Sequence, residues 1–178
     1  MPFDSSRKSG LVVLCGPCGC GKTTVGEAVA AAWDAPFLEG DAYHPAENRE
    51  KMRRGTPLTD ADRAPWLEAL RTAAEAHLND GRGTVVMACS ALKRSYRARL
   101  TPVDYPARFF LLWAEEAELL RRVGSRSGHY MPIDLVTSQV ATLERGPDLI
   151  ELDATQPVDH LVMAIIGRLT RISHEAQM

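Results

Sequence analysis

The chain has 178 residues, which at roughly 100 to 200 residues per domain is one domain with room for at most a small inserted subdomain. Apolar residues at 45% and charged residues at 25% make an ordinary globular mixture and exclude a disordered or fibrous chain. With 21 Lys and Arg against 23 Asp and Glu, the formal charge is −2, so no overall field draws the protein to nucleic acid or anionic lipid, and a small-molecule partner is expected.

Residues 1–9 are polar without an apolar period and are expected to form a flexible tail, with the fold beginning at Gly10. Leu11 to Leu14 is an unalternated apolar run, the pattern of a strand buried on both faces of a parallel sheet. The run to Cys15 is too short for a signal-peptide core or a membrane span, so a cytoplasmic protein without a membrane partner is expected. Over Lys22 to Trp33 a helix is predicted, with Val25, Ala28, Val29, Ala32 and Trp33 on one face; Pro36 breaks it before a short strand, Phe37 to Glu39.

Further helices are predicted from about Ala46 to Arg54 and from about Ala61 to Asn79. In the second, Trp66, Leu67, Leu70, Ala74, His77 and Leu78 share a face, Thr59 or Asp60 caps the start, and Pro65 fits only in the first turn. Thr84 to Ala88 and Arg108 to Trp113 read as two more buried strands, with a helix from about Lys93 to Leu100 between them. A helix from about Glu115 to Val123 runs into the polar, glycine-flanked basic stretch Gly124 to Gly128, and residues from about 121 to 131 read as a mobile lid. A helix from about Ile133 to Leu143, a strand Leu149 to Leu152 and a last helix beginning near Pro157 complete the chain. Leu161, Val162, Ile165, Leu169 and Ile172 share a face of that helix. Strands alternating with helices predict a three-layer α/β domain over residues 10–178, built on a five-stranded parallel sheet.

Gly16 to Thr23 fits a phosphate-binding loop: glycine, four residues, then Gly-Lys-Thr, following a buried strand and opening an amphipathic helix. Glycines let successive N–H groups turn toward an anion, and the helix presents its positive end to phosphate. Gly16, Cys18, Gly19, Cys20, Gly21, Lys22, Thr23 and Thr24 are therefore candidate ATP-binding residues. Lys22 is expected to reach the β- and γ-phosphates, and the Thr23 hydroxyl to ligate the Mg²⁺ that bridges them.

Cys15, Cys18, Cys20 and Cys89 admit a metal site, but the adopted reading is reduced thiols, because a thiolate in the loop would repel nucleotide phosphate. Oxidation that blocks the loop is a side reading, since a helix N-terminus lowers a thiol pKa.

Gly40-Asp41-Ala42-Tyr43-His44-Pro45 follows the second strand. Ligands of open α/β sheets sit at the carboxyl ends of strands, so Asp41 is expected to face the phosphate loop. There it takes a substrate hydroxyl proton or orients that hydroxyl beside Mg²⁺, with water-mediated contact to the metal; the alternative is a turn or cap residue. His44 is either a substrate contact or a core residue. Asn48, Lys51, Arg63, Lys93 and Arg97 supply hydrogen bonds and positive charge for an acidic polyhydroxy substrate, or are solvated helix charges. Arg63 is the strongest of them, with Asp60 and Asp62 capping its helix and holding it, while Trp66 reads as core. Arg122 and Arg126 are candidates for the nucleotide and for the transferring phosphoryl group, with surface positions as the alternative. Asp153 to Pro157 is a candidate for the adenine-side wall.

The ordered blocks GDAYHP, LTDADRAPWL and CSALKRSYR, together with the phosphate loop and with Arg122, Arg126, Gly128 and His129, resemble the gluconate kinase (gluconokinase) family of P-loop small-molecule kinases over nearly all of residues 10–172. The resemblance implies the fold of the nucleoside-monophosphate-kinase and shikimate-kinase group, and ATP-dependent phosphorylation of D-gluconate on its 6-hydroxyl. Carried over by position, Gly16 to Thr23 match the ATP loop, Asp41 and His44 the acceptor side, Arg126 the lid, and His129 the substrate-binding set. A homodimer is the family-level expectation. The chain departs from the pattern at Cys18 and Cys20, which stand where serine is usual, at Thr23 for serine, and at Tyr130 for phenylalanine. Rival readings are a kinase of the same fold for shikimate, adenylylsulfate or another sugar acid, and a nucleotide-binding module without transfer activity.

Overall fold

A computed structural model describes residues 10–81, 83–125 and 133–175. The tail expected at residues 1–9, and the part of the expected lid from 126 to 131 with Arg126, Gly128, His129 and Tyr130, lie outside the described residues.

Strands β1 (Gly10–Cys15), β2 (Phe37–Glu39), β3 (Thr84–Ala88), β4 (Ala107–Trp113) and β5 (Leu149–Asp153) form one sheet in the order β2-β3-β1-β4-β5. Every pairing is parallel. Helix α1 (Lys22–Trp33) connects β1 to β2; α2 (Ala46–Arg53) and α3 (Asp60–Asn79) connect β2 to β3; α4 (Arg94–Leu100) precedes β4. Between β4 and β5 run α5 (Glu116–Gly124) and α6 (Ile133–Thr142), and α7 (Val158–Glu175) closes the chain. The expected three-layer α/β fold is therefore present. Among the described residues no helix is long and apolar enough to cross a membrane.

The unalternated apolar runs mean what their pattern predicts, because each face of the sheet packs its own core. Leu11, Val13 and Cys15 face α3 and α4 together with Leu67, Leu70 and Leu100, while Val12 and Leu14 face α1 and α7 together with Val29 and Ile165. All of β1 and β3 is buried. Burial of whole strands on both faces fixes the level at which each strand ends, and that level sets where the loops after β1, β2 and β3 meet.

Two local expectations are corrected. On α1 the buried stripe is Val25, Gly26, Val29, Ala30 and Trp33, leaving Ala32 exposed. The helix lies close to β2, and a side chain at position 26 would stand 2.7 Å from the Phe37 ring. Pro65 lies beyond the first turn of α3, inside the helix. The N–H it lacks would have met the carbonyl of Ala61, an exposed residue whose carbonyl water can serve. The helix starts at a capping box, with Thr59 and Asp62 each accepting from the other's backbone N–H.

Candidate active site

The loop after β1 has the geometry of an anion cradle. Gly16, Gly19 and Gly21 take φ of 135°, 85° and 95°, conformations that side chains rarely tolerate. Space forbids a side chain too: a Cβ on Gly16 would lie 2.5 Å from the carbonyl oxygen of Leu112, and one on Gly19 would lie 3.0 Å from that of Leu119. Gly21 caps α1 directly, so the helix opens at Lys22 as predicted. The Lys22 ammonium turns back along the loop and donates to the carbonyl of Pro17 at 3.0 Å. Desolvation lowers its pKa, but its neighbours, the Asp41 carboxylate among them, outweigh that and hold it above the ordinary lysine value, so Lys22 stays charged.

The cleft beside the loop, about 400 Å³, is lined by Gly19, Gly21, Thr24, Arg122, Gln156 and Pro157 among others. It brings the loop, α5 and the segment after β5 together. Arg122 donates to Glu118 Oε1 at 2.6 Å, which fixes its side chain along the cleft. Asp153 accepts from the Thr155 N–H at 2.9 Å and from Gln156 Nε2 at 3.1 Å, shaping the turn that forms the wall.

The thiols are quiet. Burial raises the pKa of Cys15 and Cys20 and pushes Cys89 up to about 12, the reverse of the helix-terminus effect considered for the loop. Cys18 is partly exposed. Its N–H donates to Gln139 Oε1 of α6 at 2.6 Å.

Across the crevice, β2 runs close against the end of β3. A Cβ on Gly40 would lie 2.3 Å from the carbonyl oxygen of Ala88, so only glycine fits. Trp66 Nε1 donates to the Gly40 carbonyl at 2.8 Å, making Trp66 a core residue that also pins the turn. The turn Gly40–Tyr43 carries Asp41, whose carboxylate is exposed and has no hydrogen-bond partner among the described residues. Its charge acts on both Lys22 and His44. Glu39, one residue before the turn, accepts from the Thr23 hydroxyl at 2.7 Å and from the Asp41 N–H at 3.4 Å. This carboxylate links the phosphate loop to the acceptor side, and sequence reasoning missed it. The available signal was an acidic residue ending the strand that neighbours the loop.

His44 is buried and stacks on Trp66, with centroids 4.0 Å apart and planes 15° from parallel. Burial lowers its pKa, and the Arg63 and Arg49 charges add to that against Asp41, so the ring is neutral at pH 7. Asn48 Nδ2 approaches His44 Nδ1 at 3.5 Å and donates to the Asp62 carbonyl at 2.8 Å. Lys51 pairs with Asp62 at 2.6 Å. Asn48 and Lys51 thus tie α2 to the start of α3.

Asp60 gathers the remaining acceptor-side groups. It accepts from Lys93 at 2.9 and 2.8 Å and from the Tyr96 hydroxyl, and Arg63 lies 3.9 Å away. Arg63 and Lys93 also stand 5.7 and 5.4 Å from the Tyr96 ring centroid. Two cations around one carboxylate leave a surplus positive charge. Arg63 NH1 is used by the Leu58 carbonyl at 2.5 Å, but Nε and NH2 have no partner among the described residues.

Arg97 is a correction. It is 1% exposed, and its guanidinium is consumed by Asp148 at 2.6 Å and by the carbonyls of Ala91, Leu92 and Glu144. It holds the loop after β3 to the segment before β5, and its burial puts it out of reach of a substrate.

The comparisons fit this geometry. A family profile described as an AAA domain matches residues 11–148. A protein named gluconokinase from Gluconobacter oxydans is 47% identical over 137 residues, 77% of this chain and 76% of that protein. A probable gluconokinase from Xenopus tropicalis is 38% identical over 179 residues, 90% of this chain and 94% of its own. Among solved structures, a gluconokinase from Sinorhizobium meliloti 1021 superposes with a TM-score of 0.84 at 40% identity, covering 96% of this chain and 97% of its own.

Proposed function

Because the chain belongs to the gluconokinase family, we propose that this crevice transfers the γ-phosphoryl group of ATP to the 6-hydroxyl of gluconate, giving 6-phosphogluconate and ADP. The observation that carries the reading is the meeting of two loops. The phosphate loop bonds through Thr23 to Glu39, and two residues further on stands Asp41, unpartnered and within electrostatic reach of Lys22.

In the reaction O6 of gluconate bonds to the γ-phosphorus as the bond to the β,γ-bridging oxygen breaks and ADP leaves. Asp41 accepts the proton from O6. The loop amides and Lys22 balance charge on the departing and transferring phosphates, and Arg122 contacts the nucleotide from α5. The base lies against the turn Asp153 to Pro157. On the acceptor side, the free Nε and NH2 of Arg63 receive the gluconate carboxylate. Lys93, through its place beside Asp60, adds to the positive field, and neutral His44 bonds a sugar hydroxyl. Arg126 and His129 belong to this reading as the phosphoryl-side and substrate-side groups inherited from the family pattern.

The Thr23 hydroxyl and Glu39 carboxylate are hard oxygen donors, which suits Mg²⁺ held by a few protein oxygens together with phosphate. Thr23 would ligate the ion, and Glu39 in place of Asp41 would hold a water on it. Bound Mg²⁺ screens phosphate charge and fixes phosphate geometry. The reading also includes a cytoplasmic homodimer, which sedimentation of the purified protein and cell fractionation test.

The deciding experiment supplies ATP, Mg²⁺ and a panel of acceptors, gluconate, shikimate and adenylylsulfate among them, and identifies the product by mass and ³¹P NMR. A phosphomonoester on C6 of gluconate is the expected result. ADP release at the same rate without any acceptor, or faster with another acid, overturns it.

A further inference from the structure

We propose that Gln139 is a phosphate-binding residue, its side-chain amide donating to the γ-phosphoryl group of ATP; this rests on the kinase reading above and names a residue that reading does not use. Gln139 Oε1 accepts from the Cys18 N–H at 2.6 Å, within the phosphate loop itself. A backbone N–H can only donate, so the oxygen of the carboxamide must face the loop and its NH2 must face away. Among the described residues that NH2 has no partner. A carboxamide fixed at one end on the cradle carries its donor about 2 Å further on, beside the place where the terminal phosphate of a bound nucleotide must lie.

The support behind Gln139 is firm. Val136 on the same helix is fully buried in the core, and Thr137 donates to Glu116 Oε1 of α5 at 2.5 Å. Just past the helix, the Glu144 N–H donates to the Leu92 carbonyl at 2.9 Å. Gly19 of the loop rests on α5 at Leu119 and Val123, so loop, α5 and α6 form one packed unit. A donor held this way is positioned before the ligand arrives, which is what stabilising a transferring phosphoryl group requires.

Binding of ADP and of a non-hydrolysable ATP analogue, each with Mg²⁺, separates a γ-phosphate contact from a general brace of the loop. Gln139→Met and Gln139→Leu each remove acceptor and donor without adding charge. In both variants analogue binding and kcat are expected to fall about 10- to 100-fold while ADP binding stays within about twofold, since only the analogue carries the third phosphate. Equal weakening of ADP and analogue would mean that Gln139 only braces the loop, and would overturn the proposal. So would unchanged binding of both. Tighter binding of either nucleotide would show the carboxamide competing with phosphate for the Cys18 amide, and would overturn it as well. If the unaltered protein binds neither nucleotide, the kinase reading falls and this proposal with it.

Discussion

The two walls of the crevice are held by different means. On the donor side the shape is main chain: three glycines at positive φ, a helix that opens at Lys22, and loop amides backed by α5 and α6. On the acceptor side the shape is side chains from distant positions, with Lys93 and Tyr96 brought to Asp60 and Asn48 and Lys51 brought to Asp62. A backbone cradle tolerates exchange of its side chains so long as its glycines stay, which is how Cys18 and Cys20 stand where serine is usual. A wall of paired charges tolerates little, because each group removed strands its partner.

The largest test of this contrast is Lys22→Ala, which takes the ammonium from the phosphate loop. Turnover should fall about 10³-fold or more in a coupled ADP-release assay, and wild-type rates would break the assignment of the loop. Asp41→Asn should lower kcat about 10²-fold with ATP binding kept, as calorimetry would read it; an equal loss of ATP binding would move Asp41 to the nucleotide side. Two arginines then sharpen the division within the acceptor half. Arg63→Lys should raise the KM for gluconate about tenfold at unchanged stability, since a lysine cannot make the paired contact. Arg97→Met should leave that KM alone and cost about 3 kcal/mol in chemical denaturation, because Asp148 and three carbonyls lose their donor. If the two effects exchange places, Arg97 belongs to the crevice and Arg63 to the core.

The smallest effect is a pH dependence. Lys51 and the two Thr59 bonds hold the Asp62 carboxyl at about 2. A carboxyl depressed on folding stabilises fully above its unfolded value near 4, and this contribution is lost as pH falls through about 2. The thermal midpoint of Asp62→Asn should therefore sit below wild type at pH 6 and converge on it below pH 2. A constant gap would mean that the carboxylate acts by packing alone.

The same contrast explains what the sequence could tell. The donor loop is legible because its chemistry lies within residues 16–23 at fixed spacing, and because an unalternated apolar run before it and an amphipathic helix after it give the context. The three layers follow from the same alternation, whereas the order β2-β3-β1-β4-β5 does not. On the acceptor side, Arg63 and Arg97 look alike in sequence, each a basic residue on a predicted helix. Only tertiary burial sorts one into the crevice and the other into the core. Glu39 ends a strand of three residues, too short for a pattern to say which way its side chain points. Gln139 carries no local mark at all: its role depends on a loop 121 positions away.

β1 lies in the middle of the sheet, between β3 and β4, although it comes first in the chain among the five described strands. Its two neighbours are completed only when Ala88 and then Trp113 have been made. Throughout that interval a wholly apolar strand waits with one or both edges bare, and pairing with another nascent chain competes with the proper partner. Slow translation between the codons for β1 and β4 should therefore lower the yield of folded protein, and a circular permutant that begins at β3 should shorten the wait.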